Sequence, residues 1–99
     1  MADFVLTEEE QQALDEGEAA DFLLDNPVFL LAIERIRKEC SEGILTSRPE
    51  DQGVREQLYN LSRGLTAVTS ELANMSSIGA SIKENAALLQ PTDDDDAQA

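Results

Sequence analysis

From Val54 to Leu89 the apolar positions fall at Val54, Leu58, Leu61, Leu65, Val68, Leu72, Met75, Gly79, Ile82, Ala86 and Leu89, separated alternately by four and three residues. This is a heptad, with Leu58, Leu65 and Leu72 at a, and Val54, Leu61, Val68, Met75 and Ile82 at d. It predicts a long helix over 49–89 with one narrow apolar seam, and a seam that narrow needs another helix against it.

Two further helices are predicted upstream. Thr7 with Glu10 has the spacing of a capping box, and Glu8, Glu9 and Glu10 place negative charge in a first turn, so a helix is expected over 7–25. Its apolar positions (Ala13, Leu14, Ala20, Leu23, Leu24) make a ragged stripe, and Gly17, costing about 1 kcal/mol relative to Ala, marks a place where it can break. Asn26 then reads as an N-cap and Pro27 as the first residue of a new helix. Phe29, Ile33, Ile36 and Cys40 give this helix, expected over 27–42, a stripe matching the long one. Gly43 fits a left-handed C-terminal cap, with Ile44 as its apolar contact.

Leu45 to Arg48 is then a short connector, and Pro49, Glu50 and Asp51 repeat the start signal. The fold class expected is all-α: an antiparallel helical hairpin with a long heptad-patterned second arm, plus an N-terminal helix. Residues 1–90 form one domain, and 91–99 an acidic disordered tail. The arms do not match, because the second reaches about 60 Å and the first about 24 Å. The far half of the seam therefore needs the N-terminal helix or another chain. A monomeric three-helix bundle and a side-by-side assembly both satisfy it, and the small size and unmatched arm favour assembly. Near Gly79 two outcomes stand. Ser76, Ser77 and Gly79 are poor helix formers, and Ser81 with Glu84 is a second capping box, but the heptad phase is kept across the glycine.

Composition narrows the function more than the fold. At 99 residues and 41% hydrophobic, with four aromatic residues and no Trp, the chain has a core near the lower limit for independent stability, and no strands are expected. The net charge is −14, and the first thirty-four residues hold acids without one base. Such a surface repels nucleic acid and anionic membranes over most of its extent. Cys40 stands alone and there is no His, which removes internal disulfides and the usual zinc sets and points to a reducing compartment. With no apolar run near a membrane span, the protein is expected to be soluble and intracellular. No nucleophile and base pair or phosphate-cradling glycine loop is evident, so neither an enzyme nor a cofactor is expected, and Cys40 reads as a small core residue.

Three sets of residues remain as candidate sites. The seam (Val54, Leu58, Leu61, Leu65, Val68, Leu72, Met75, Ile82) is the candidate for helix packing between chains. Arg35, Arg37, Lys38, Arg48 and Arg55 gather near the hairpin turn and are the one place for phosphate contacts. Glu34 with Lys38, Arg35 with Glu39, Lys38 with Glu42 and Asp51 with Arg55 are each four apart, which favours local pairing instead. Asp93, Asp94, Asp95 and Asp96 are a solvated tail that can dock on a basic partner.

The segments Asp25-Asn26-Pro27-Val28-Phe29, Thr46-Ser47-Arg48-Pro49-Glu50-Asp51, Arg55-Glu56-Gln57-Leu58-Tyr59 and Leu65 to Leu72 resemble small acidic helical proteins encoded among the head and DNA-packaging genes of tailed bacteriophages. Small terminase subunits are the members with a comparable helical-hairpin oligomerisation core, forming rings that recognise viral DNA and regulate a separate motor. The resemblance implies a virion or packaging role, in the host cytoplasm or the virion. The chain lacks an evident helix-turn-helix and a basic DNA-binding segment, so no functional residue carries over. The function expected first is a non-enzymatic, self-associating assembly protein that offers its acidic surface to a basic protein partner. An acidic mimic of nucleic acid that inhibits a basic host protein comes second, and a DNA-contacting packaging subunit third.

Overall fold

The computed structural model describes residues 5–89, and three helices account for nearly all of them. Helix α1 spans Glu8–Leu24, α2 Pro27–Thr46 and α3 Gln52–Leu89. No strand occurs among the described residues, so the chain is all-α as its periodicity predicts.

Each start is set locally. Thr7 Oγ1 accepts from the Glu10 N–H at 3.0 Å, and Glu10 Oε1 accepts from the Thr7 N–H at 3.0 Å, which closes the capping box of α1. The Asn26 side-chain oxygen accepts from the Val28 and Phe29 N–H groups at 2.9 and 3.0 Å, while Pro27 has no N–H to satisfy. At the third start the helix begins at Gln52, not at Pro49. Pro49 and Glu50 form a turn in which the Asp51 N–H donates to the Arg48 carbonyl and Asp51 Oδ2 accepts from the Arg48 N–H.

Several boundaries depart from the sequence expectation for one reason: the glycines do not end helices here. Gly43 has ordinary helical backbone and α2 runs on to Thr46, past the expected end at 42. Gly17 does not break α1, and α3 passes unbroken through Gly79, with Ser81 and Glu84 in mid-helix. Packing against a neighbouring helix outweighs the ~1 kcal/mol that each glycine costs.

The tertiary arrangement resolves the mismatch in arm length. α1 and α2 lie end to end, meeting only around the Asp25-Asn26 junction, and both run antiparallel to α3. Gly43 of α2 sits against Leu58, Arg37 reaches Thr66 and Thr69, and Gly17 of α1 faces Gly79. The 17 residues of α1 and the 20 of α2 together nearly equal the 38 of α3, so the long arm has a helix beside it throughout. The result is a ribbon of 75 × 24 × 17 Å with a radius of gyration of 21.3 Å, against about 13 Å for a compact chain of this size.

A ribbon one layer thick encloses little. Ala20 and Cys40, 1% and 2% exposed, are the buried hydrophobic side chains among the described residues. Phe29, Ile33, Ile36, Leu58, Leu65 and Leu72 are only half-buried along the helix junction.

Candidate interaction surface

The surface follows from how α3 is rotated against its neighbours. Along the α2 half, the positions turned inward are Arg55, Leu58, Ser62, Leu65, Thr69 and Leu72, a four-three repeat one step round the helix from the expected seam. The a residues Leu58, Leu65 and Leu72 lie in the junction as expected. The d residues Val54, Leu61 and Val68 do not; they are 49%, 50% and 52% exposed, so the covering of the seam within one chain does not reach them. Their place in the junction is taken by Ser62 and Thr69, small enough to sit against α2. Further along, where α1 replaces α2, Met75 and Ile82 turn inward and are half-buried, and Gly79 is buried.

The two broad sides of the ribbon differ in character. One carries Arg37 of α2 hydrogen-bonded to Thr66 and Thr69 of α3 at 3.4 and 3.3 Å. Val68 is two residues from Thr66, about 200° around the helix, and so belongs to the other side. Leu61 and Val54 precede it at seven-residue intervals with ~20° of drift per heptad, and Gln57, Gly64, Glu71 and Ile78 run beside them. From Gly64 to Ile82, nineteen residues of α3, Glu71 is the sole charged residue in a chain of net charge −14. A Cβ at Gly64 would meet nothing within 4 Å. This flank is therefore apolar, nearly uncharged and uncovered in the single chain.

The basic cluster is brought together less than its sequence positions suggest. Arg55 folds back over the turn, donating to Ser47 Oγ at 3.2 Å, to the Pro49 carbonyl at 3.1 Å and to the Arg48 carbonyl. It closes the connector, and sequence reasoning missed this role, although its place just after a Pro-containing turn was a usable signal. Arg37 is held by the two threonines, and Lys38 lies 3.9 Å from Glu42. Arg35 and Arg48 are exposed. Among the described residues the ion pairs are Lys38–Glu42 and Lys83–Glu18, the latter at 3.6 Å across the α1–α3 junction. Glu34 with Lys38, Arg35 with Glu39, and Asp51 with Arg55 do not pair, despite their spacing.

On α1, Glu8, Glu9, Asp15, Glu16, Glu18 and Asp21 are all exposed, and among the described residues Glu18 is the one with a basic partner. Asp21 accepts a hydrogen bond from Ser76 Oγ, and a cleft of about 310 Å³ beside it runs along Gly17, Gly79 and Lys83. Among the described residues no group of three or more Cys, Asp or Glu is placed to hold a metal ion, and no helix is long and apolar enough to cross a membrane. Asp93, Asp94, Asp95 and Asp96 lie outside the described residues. No protein-family model, curated protein or solved structure matches this chain.

Proposed function

We propose that this chain is a non-enzymatic assembly protein that self-associates through the uncharged flank of α3 and serves in the head or DNA-packaging machinery of a tailed bacteriophage. One contrast carries the reading: the chain is 41% hydrophobic, yet Ala20 and Cys40 are its buried hydrophobic side chains among the described residues. A helical layer with that little enclosed surface gains most by covering its open apolar side, and a second protein helix is the covering that a heptad pattern suits. The non-enzymatic part rests on the absence of His from the sequence and on the burial of the single thiol. The phage setting rests on the resemblance of the cap, connector and heptad segments.

The test is mass by light scattering. The chain is expected to scatter as an oligomer, and Leu61→Asp or Val68→Asp to return it to 10.8 kDa with its helical circular dichroism intact, because both side chains already face outward on the single chain. A wild-type chain that stays at monomer mass at millimolar concentration removes the proposal.

The exposed carboxylates of α1 favour a second reading, an acidic surface that captures a basic nucleic-acid-binding protein. It requires a stoichiometric complex at low salt.

A further inference from the structure

We propose that the occupant of the uncharged flank is a second copy of this chain, packed about a two-fold axis so that the two α3 helices run antiparallel and come closest at Gly64. This rests on the self-association reading above and adds the geometry of the contact.

Three observations carry it. The first is area. The broad side of the ribbon measures 75 by 24 Å, about twice the ~800 Å² per partner that a standard stable interface buries. Half of it is enough for a dimer.

The second is charge. Two chains of net charge −14 repel each other, so a copy must approach where charge is least. On the described helices that place is the side of α3 carrying Val54, Leu61 and Val68, where Glu71 is the one charge, whereas α1 presents a row of exposed carboxylates.

The third is the pattern around Gly64. Gly17 and Gly79 show what a mid-helix glycine does in this molecule: each lets an antiparallel helix approach to backbone contact. Gly64 has the same helical setting with open space in front of it. Leu61 and Val68 lie three and four residues to either side, so an antiparallel two-fold at Gly64 brings one copy's Leu61 within one residue's rise, about 1.5 Å, of the partner's Val68. Gln57 and Glu71 each stand seven residues from Gly64, which brings the amide of the partner's Gln57 level with the carboxylate of Glu71, the one charge on the flank. A parallel pairing would set Glu71 beside its own copy.

Thiol cross-linking tests the geometry. Cys40 is 2% exposed and Ala67 and Gly53 are exposed, so Ala67→Cys and Gly53→Cys each add one accessible thiol to an intact hairpin and leave the close approach at Gly64 free of a side chain. With a short bismaleimide, Ala67→Cys, whose two copies stand about 9 Å apart along the antiparallel pair, is expected to run mostly at twice 10.8 kDa on a denaturing gel, and Gly53→Cys and the parent chain at the single mass. The two Gly53 positions would be roughly 33 Å apart in the antiparallel pair. Equal cross-linking of both variants means a parallel or random contact and overturns the proposal. Absence of the product from Ala67→Cys, in a sample that light scattering reads as an oligomer, overturns it while leaving self-association standing. A monomeric sample removes both.

Discussion

A side chain on Gly17 would have to occupy the space held by the backbone of Gly79: a Cβ built there stands 2.9 Å from the Gly79 Cα and 2.8 Å from the Met75 carbonyl oxygen. The two glycines are the point at which α1 and α3 touch backbone to backbone. Neither neighbour can yield by changing a rotamer, so the contact fixes where α1 sits along α3.

Gly17→Ala is therefore expected to destabilise the chain by ~1–3 kcal/mol, even though alanine is the better helix former, because the helices must separate to admit the methyl group. Gly79→Ala is expected to cost less, since its Cβ would meet the Gly17 Cα at 3.1 Å and its next neighbours at 3.6 Å. Gly53→Ala, with open space, is expected to be neutral or to stabilise by up to about 1 kcal/mol. Urea midpoints of the three variants check the order.

Asn26 ends one helix and starts the next, its N–H donating to the Leu23 carbonyl and its side chain accepting from Val28 and Phe29. Asn26→Ala is expected to cost about 1 kcal/mol, with Asn26→Asp close to wild type because it keeps the accepting oxygen. Thermal unfolding followed by circular dichroism reads the difference.

Arg55 holds the connector through one hydroxyl and two carbonyl oxygens. Arg55→Met is expected to cost ~1–2 kcal/mol, and Arg55→Lys to recover little, because a point ammonium cannot span three acceptors as a planar guanidinium does. Arg35→Met, at an exposed site, should stay within about 0.5 kcal/mol of wild type in the same denaturation series.

Salt separates the two functional readings by sign. Raising ionic strength from about 0.01 to about 0.15 M shortens the Debye length from ~30 to ~8 Å. Self-association of chains at −14 each is expected to tighten, because screening weakens their repulsion, whereas capture of a basic partner would loosen. Sedimentation at the two salt concentrations gives the direction, and dissociation on adding salt counts against self-association.

The features legible in the sequence are those confined to a few neighbouring residues. Thr7 with Glu10, and Asn26 with Pro27, mark helix starts because the groups that satisfy each other lie within one turn. Cys40 could be placed on an apolar face from its spacing to Ile33 and Ile36, and it is buried. The glycines show the opposite case. Gly17, Gly43 and Gly79 look locally like breaks or caps, and what makes them helical is the helix on the other side, which no local signal describes.

By itself, then, the sequence determined that the chain is helical, where its first two helices begin, that its charge is acidic and concentrated toward the N-terminus, and that one long helix carries a heptad. Tertiary structure alone decided that α1 continues along α3 in line with α2, that a and e positions rather than a and d face α2, and that Arg55 serves the turn. The reason is range. Caps and periodicity act over about four residues, whereas the rotation and partner of a helix are set by contacts between residues dozens of positions apart, such as Gly17 with Gly79 and Arg37 with Thr69.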